Sequence, residues 1–289
     1  MRPAGVVESA VGLGPGSHVG WGYTDRAELR TRAWEYLSDG VSAGQRIEFL
    51  GSGSVEALRA ELAGLAGAVP VTRRRGQFNQ DGIGVALVDE VYVISGPDRV
   101  VNPMQSVAAP VAATEDALAA GYTGLRAVVD ATTLASTSAQ RAAYAHYEYL
   151  LDQQSSMLPI GTICAYDTAA LGNAAVAEMA CLHPFASRGA STFRLYAHDG
   201  AAFALAGEVD CWSMVQFADT LGRVLPLAPG PELVVDGREL EFIDHRGLLV
   251  LDRCAGQLGL RLTIQTHRQT AAHIAEAVGL QHLRVDVLG

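Results

Sequence analysis

Side chains that could bind a small molecule stand where predicted strands end. Tyr23, Asp130 and Tyr166 each lie at the end of an apolar run that predicts a strand, and His183 follows a short predicted helix. Open parallel sheets bind their ligands at the carboxyl ends of the strands. We therefore expect these four side chains to line one ligand pocket. Gly20 is small enough to deepen that pocket, and so is Gly22.

An overlapping set could support chemistry on a bound metabolite. Asp130 could act as a general base or could orient a ligand, and Glu148, Cys164 and His183 are predicted near the same edge. Two of them have a structural alternative. Asp130 also suits a hydrogen-bonded turn with Thr132, and free cysteines are usually small core residues. If the protein is an enzyme, Asp130, Glu148, Cys164 and His183 are the catalytic candidates.

The cysteines and histidines do not predict a metal site by their spacing. Cys164, Cys181 and His183 carry soft donor atoms, but they do not follow an established zinc pattern. His18 lies at the opposite end of the first predicted strand and is more typical of a structural capping residue. We expect no metal and no cofactor.

The composition excludes several classes of function. The chain has 289 residues and a formal net charge of −10, and its 21 basic residues are all arginine. Without lysine it can have neither a lysine-type phosphate loop nor a Schiff-base lysine. The acidic balance argues against nucleic-acid binding, and the arginine run at 73–75 is too short to reverse it.

The sequence also predicts a reduced, cytoplasmic protein. Four cysteines in a chain of this length do not make a disulfide framework. The first residues lack the pattern of a signal peptide. No apolar stretch reaches the roughly 18 residues that a membrane span requires, so we expect no contact with a membrane.

Strand and helix signals alternate over the first two thirds of the chain, which predicts a parallel sheet covered by helices. A loop is predicted at 76–84 and a short strand at 91–94. The order changes near residue 190, where a hairpin with a tight turn at Asp199 and Gly200 begins a second α/β segment.

Residues 14–184 resemble the methanogen/methylotroph sensory (MEDS) domain. The motifs that carry the resemblance are 16–19, 39–44, 121–126, 164–167 and 181–184. The resemblance implies a sensory domain over 1–188 with a RecA-like or circadian-clock-ATPase-like fold, and a small organic ligand. Here the phosphate loop is missing, because Tyr23 leads straight into a helix. The Gly51–Ser54 turn could receive an anion or could be a plain tight turn.

Residues 193–287 resemble the STAS domain of sulfate transporters and anti-sigma-factor antagonists, through the motifs 205–210, 233–236, 241–248 and 278–280. The resemblance implies a smaller α/β domain over 191–289 and a partner that is an anti-sigma factor, a serine kinase or another STAS protein. It places partner binding at Asp244, His245 and Arg246. His245 and Arg246 occupy the positions of the family's two serines, so the usual phosphorylation switch is absent. A homodimer is left open.

Two functions follow from these resemblances. The first is a cytoplasmic signalling protein, in which a small-molecule sensor is coupled to an anti-sigma-factor-antagonist-like output. The alternative is an enzyme of small-molecule metabolism that uses the degenerate RecA-like domain, with the STAS domain as a scaffold.

Overall fold

The structure is a computed structural model that describes residues 3–63, 90–93 and 102–289. The arginine run at 73–75 and the predicted loop at 76–84 lie outside the described residues. So does residue 94, the last of the predicted strand 91–94.

The first sheet has seven strands, and every pair in it is parallel, as the alternation of strands and helices predicts. Its order is β1-β7-β2-β6-β5-β3-β4. The strands are β1 (Gly5–Val7), β2 (His18–Tyr23), β3 (Arg46–Gly51), β4 (Glu90–Val93), β5 (Leu125–Asp130), β6 (Ile160–Asp167) and β7 (Phe185–Ser187).

Side-chain caps fix where the helices of this part begin. Asp25 accepts a hydrogen bond from the Glu28 amide, and Thr137 and Gln140 form a reciprocal capping box; such caps satisfy amides that have no partner within the helix. The helices are α1 (Arg26–Ser42), α2 (Val55–Ala63), α3 (Pro103–Ala119), α4 (Ser138–Met157), α5 (Thr168–Leu171) and α6 (Asn173–Ala180).

The alternation of side chains along the strands gives the first sheet two faces. Trp21 and Tyr23 belong to a core that α1 and α2 cover. Cys164 and Tyr166 point to the other face, where they pack with side chains of α4 and α6. β2 and β6 are paired so that Gly20 is opposite Cys164 and Gly22 is opposite Tyr166. The side chain of His18, two residues before Gly20, therefore lies on the α4 face.

The second sheet has the order β11-β9-β10-β12-β13, with β8 paired antiparallel to β9. The predicted hairpin at Asp199 and Gly200 is confirmed, and Gly200 has a φ of 82°. The strands are β8 (Phe193–His198), β9 (Ala201–Val209), β10 (Glu232–Asp236), β11 (Leu240–Ile243), β12 (Arg261–Thr266) and β13 (Leu283–Val287). The helices are α7 (Met214–Val224), α8 (His245–Leu258) and α9 (Gln269–Val278).

The two sheets share one continuous apolar core. It runs from Val129 and Tyr149 beside the first sheet to Phe193 and Phe203 in the second. The Leu195 amide donates to the Cys181 carbonyl at 2.6 Å, which joins the two parts by a backbone hydrogen bond. None of the helices in the described ranges combines the length and apolarity needed to cross a membrane.

Candidate functional site

Asp130 is at the carboxyl edge of the first sheet, and its two oxygens already have partners. Oδ1 accepts from the Thr132 hydroxyl at 2.7 Å and from the Tyr23 hydroxyl at 3.2 Å. Arg26 pairs with Oδ2 and also with Glu61. Burial, followed by the charge of Asp130, raises the pKa of Tyr23 to about 12. The carboxylate is thus fixed in a turn and an ion pair, and its partner Arg26 is 40% exposed.

A second group of polar side chains lies on the other face of the sheet, wholly buried beneath α4. We call it the buried polar cluster. Glu148 Oε2 is at its centre, 3.0 Å from His18 Nε2, 3.5 Å from Cys164 Sγ and 3.5 Å from His183 Nε2. Its members are His18, Glu148, Asp152, Cys164, Tyr166 and His183, each less than 1% exposed.

Hydrogen bonds orient the members of this cluster. Tyr166 donates its hydroxyl proton to Glu148 Oε1 at 2.7 Å. His18 Nδ1 lies 3.1 Å from Asp152 Oδ1, so both nitrogens of that ring face a carboxylate. His183 Nδ1 lies 3.0 Å from the Met179 carbonyl, which can only accept. His183 Nδ1 therefore carries the proton, and its Nε2 presents a lone pair to the cluster.

The pKa values of the two histidines in the cluster are shifted in opposite directions. Burial alone would lower the pKa of His18, but the hydrogen bonds to Asp152 and Glu148 raise it above 6.5. Burial and the nearby charge of His18 lower the pKa of His183. Burial would raise the pKa of Glu148, but the imidazoles of His183 and His18 hold it well below its usual value. The cluster therefore favours the ionised form of the buried Glu148 carboxylate.

A family model identifies the part of the chain that contains both groups. The model of the methanogen/methylotroph, DcmR sensory domain (MEDS) matches residues 17–184, which is more than half of the chain. The chain belongs to the MEDS family. A comparison with curated proteins found no match. The family match ends at residue 184 and gives no family for residues 185–289.

The MEDS domain does not bring the four predicted pocket residues together. Tyr23 and Asp130 are hydrogen-bonded on the α1 face, whereas Tyr166 and His183 belong to the buried polar cluster on the α4 face. One pocket lined by all four is therefore wrong, and the reason is the alternation of side chains along β2 and β6. In the register of these strands, the side chains of Tyr23 and Tyr166 point to opposite faces of the sheet.

The four catalytic candidates are divided in the same way. Glu148, Cys164 and His183 lie together, and Asp130 lies on the opposite face. Burial, followed by the charge of Glu148, raises the pKa of Cys164 well above 9.0, so its thiol is protonated at neutral pH. A protonated thiol is a poor nucleophile.

The glycines of β2 do not leave room for a ligand. A Cβ on Gly20 would lie 2.7 Å from Ala180 Cα and 2.9 Å from His183 Nδ1, and one on Gly22 would lie 3.0 Å from Val176. The expected extra depth is wrong, because α6 and the segment after it fill that space.

Sequence reasoning missed His18 and Asp152 as members of a polar site. His18 begins β2, which is an interior strand because β7 and β1 lie beyond it in the sheet. Its side chain is covered by α4, where it contacts Asp152. The signal that could have found the pair is on α4, where Glu148 and Asp152 are four residues apart and so lie on one helix face. Cys181 faces Thr220 instead, at 3.5 Å.

At the other end of the chain, Asp244, His245 and Arg246 form the start of α8. Asp244 Oδ1 accepts from the Gly247 amide at 2.8 Å and caps the helix. His245 and Arg246 are exposed in the first turn. Arg246 therefore presents a fixed positive charge near the Asp244 carboxylate, at the positive end of a helix dipole.

Proposed function

We propose that the chain is a signalling protein with two parts. The MEDS domain senses a small organic molecule, and the segment 191–289 acts as a STAS-like output that binds a partner protein. Membership of a sensory family supports the first part. The motifs at 205–210 and 241–248 and the hairpin-first order of the second sheet support the second.

The observation that carries this proposal is the position of α4 between the two parts. Glu148 and Asp152 on α4 belong to the buried polar cluster of the MEDS domain. Tyr149 lies between them in sequence, donates its hydroxyl to the Ala202 carbonyl at 3.2 Å and packs on Phe203 with ring centroids 5.1 Å apart. A movement of α4 would therefore displace the residues of β9 that Tyr149 contacts.

Polar contacts of α6 make a second connection. Glu178 pairs with Arg141 of α4 at 2.9 Å and with Arg223 of α7 at 3.0 Å. Gln216 of α7 donates to the Ala177 carbonyl at 2.7 Å. A ligand that shifts the equilibrium between two positions of α4 and α6 would change what the output segment presents.

We place the small-molecule site at the carboxyl edge of the first sheet, near Tyr23, Arg26 and Asp130. Solvent reaches the Arg26 side chain, which is 40% exposed, and its guanidinium suits a ligand with an acceptor oxygen. Tyr166 and His183 would respond to such a ligand through β2 and β6.

Hydrogen exchange on the full chain tests the coupling. We would add methanol, formate or acetate in turn, because each offers an oxygen that can accept from the Arg26 guanidinium. At least one of them should slow exchange in segments 18–30 and 125–132 and change it in β9 and α7. Tyr149→Phe removes the hydroxyl contact to Ala202 and keeps the ring, so it should weaken the change in β9 but not ligand binding.

Two results would contradict the proposal. One is that no probe binds at this edge of the sheet. The other is a probe that binds there and leaves exchange beyond residue 191 unchanged in the unsubstituted chain. Gln153→Ala serves as a control, since it removes a neighbouring contact to the Tyr149 hydroxyl without touching Ala202.

A further inference from the structure

We infer that the core of the MEDS domain contains a closed binding site for a divalent transition metal of the zinc class. Its ligand atoms are His18 Nε2, one Glu148 carboxylate oxygen, Cys164 Sγ and His183 Nε2. One such atom from each of the four residues lies within 4.8 Å of the others. The inference goes beyond the proposed sensory function and does not depend on it.

The first observation is a buried nitrogen that lacks a partner. His183 is 0% exposed, and within the described part of the chain its Nε2 forms no hydrogen bond. Because Nδ1 donates to the Met179 carbonyl, Nε2 carries a lone pair and faces Glu148 Oε2, another acceptor, at 3.5 Å. Leaving a polar atom buried without a partner is costly. A cation between the two atoms would satisfy both.

The spacing of the donor atoms fits four-coordinate geometry. Bonds of about 2.0–2.3 Å in a tetrahedral zinc site place neighbouring ligand atoms about 3.3–3.6 Å apart. The separations from Glu148 Oε2 are 3.0 Å to His18 Nε2, 3.5 Å to His183 Nε2 and 3.5 Å to Cys164 Sγ, and that sulfur is 3.8 Å from His18 Nε2. The two remaining pairs, which join His183 to His18 and to Cys164, lie within 4.8 Å, so the His183 ring would approach these two ligands to complete the site.

Three of the four ligands also have the outer partners typical of metal sites. His18 has Asp152 behind its Nδ1, His183 has the Met179 carbonyl, and Glu148 Oε1 accepts from the Tyr166 hydroxyl. Such contacts fix the orientation of the ring or carboxylate and raise its affinity for the ion. This organisation is what distinguishes the cluster from acidic and imidazole groups that meet by chance.

The donor set and its burial indicate which metal and which role. Two imidazoles, a thiolate and a carboxylate suit Zn²⁺, and Co²⁺ as its substitute. All four ligands come from the protein and none is exposed, which is typical of a structural site. The ion would join β2, β6, α4 and the segment after α6. Cys164 would bind as thiolate and His18 through Nε2 without its proton, so the protons of that thiol and that nitrogen would be released to solvent.

Cobalt spectroscopy on the full chain tests the site. Exposed Cys211 and half-buried Cys254 could bind Co²⁺ adventitiously, so the reference chain carries Cys211→Ser and Cys254→Ser. After treatment with a chelator and dialysis against Co²⁺, it should bind one ion per chain. We expect visible bands of four-coordinate cobalt and a near-ultraviolet thiolate-to-cobalt band. Zn²⁺ should abolish both and should raise the unfolding temperature with its concentration.

Variants identify the ligands. Cys164→Ser in the reference chain should remove the thiolate band. His183→Ala should reduce the affinity for Co²⁺ and Zn²⁺ at least as strongly as Asp152→Asn, the outer-contact variant described next. Asp152→Asn changes only the outer contact of His18 and should lower affinity about 10–100-fold while the four-coordinate bands remain. His146→Ala on the same helix, and Cys181→Ser among the buried cysteines, serve as controls and should leave binding unchanged.

The inference is overturned if the folded reference chain binds less than one Co²⁺ per chain after dialysis, or if the bound ion lacks the thiolate band. It is also overturned if Cys181→Ser removes that band and Cys164→Ser does not. Far-ultraviolet circular dichroism of each chelator-treated variant establishes that it is folded before metal is added. If Cys164→Ser does not fold, alkylation of the Cys164 thiol in the reference chain is compared with and without Zn²⁺. Zn²⁺ should slow that alkylation, and an unchanged rate overturns the inference.

Discussion

At the scale of single residues, the two carboxylates that the sequence singles out have different surroundings. Asp130 shares its oxygens among Tyr23, Thr132 and Arg26 at the edge of the sheet. Glu148 is surrounded by two imidazoles, a thiol and a phenol, with less than 1% of its surface exposed. A buried ionised group is tolerated only when its hydrogen bonds are made. The Glu148 contacts should therefore contribute more to stability than similar neutral contacts.

Tyr166→Phe tests this expectation. It removes one hydroxyl and leaves Glu148 Oε1 without its donor. A hydrogen bond to a charged group contributes about 1.5–3 kcal/mol, against about 0.5–1.5 kcal/mol for an ordinary one. Urea unfolding in the presence of a chelator should show that larger loss. Tyr149→Phe, whose hydroxyl bonds only neutral groups, is the matched control and should lose less. Equal losses would mean that Glu148 does not depend on the phenol.

At the scale of elements, periodicity and capping residues predicted most of the fold. Asp25, Asn102 and Asp244 are of residue types that favour helix N-caps, and each caps a helix. The hairpin of the second sheet was found from its turn. The missed strands include β1 and β7, which have three residues each. A pattern with a period of two cannot be recognised over so short a run. Their positions depend on pairing with distant strands, which a local pattern does not contain.

The candidate site was predicted less well, for a related reason. The residue types were found, since Glu148, Cys164, Tyr166 and His183 are all in the buried polar cluster. Their grouping with Tyr23 and Asp130 failed because strand ends were treated as one edge, without regard to which face each side chain takes. Applying the period of two to 18–23 and 160–167 would have separated the two groups.

Close packing between β2 and α6 gives a prediction at this scale. Gly20→Ala would place a methyl group 2.7 Å from Ala180 Cα and 2.9 Å from the His183 ring. Backbone must move to accept it, so we expect a loss of about 1–3 kcal/mol. Gly22→Ala meets a side-chain methyl of Val176 at 3.0 Å instead of backbone and should cost less.

Chemical denaturation of the two variants checks this order. If Gly20→Ala also moves His183, it should reduce metal affinity in the cobalt assay, and Gly22→Ala should not. Equal stability of both variants and the unsubstituted chain would contradict the close approach of α6 to the sheet.

At the scale of the whole molecule, the strongly acidic chain carries a local positive site. The formal net charge is −10, yet Arg246 is exposed in the first turn of α8, where the helix dipole adds about half a positive charge. Phosphorylation of a serine at such a turn would add about −1.5 to −2 charges. His245 and Arg246 provide no hydroxyl for it, so the sign of this turn is constant. Under the proposed output role, the matching partner surface is acidic.

Binding of an anti-sigma kinase to the full chain should therefore weaken with salt and depend on Arg246. Raising the salt concentration from about 0.05 M to about 0.5 M shortens the Debye length from about 14 Å to about 4 Å, so an exposed charge contact loses most of its strength. Arg246→Glu should reduce binding at low salt and remove most of its salt dependence, with Arg246→Gln between the two. Arg253→Glu reverses an exposed charge further along α8. This variant has the same net charge as Arg246→Glu and should bind like the unsubstituted chain.

Pull-down at the two salt concentrations measures binding of the kinase, and mass spectrometry of 240–250 measures phosphorylation of the turn. Binding that is unaffected by salt, or equal loss in Arg246→Glu and Arg253→Glu, would mean that the overall charge of the chain, and not this turn, controls the contact.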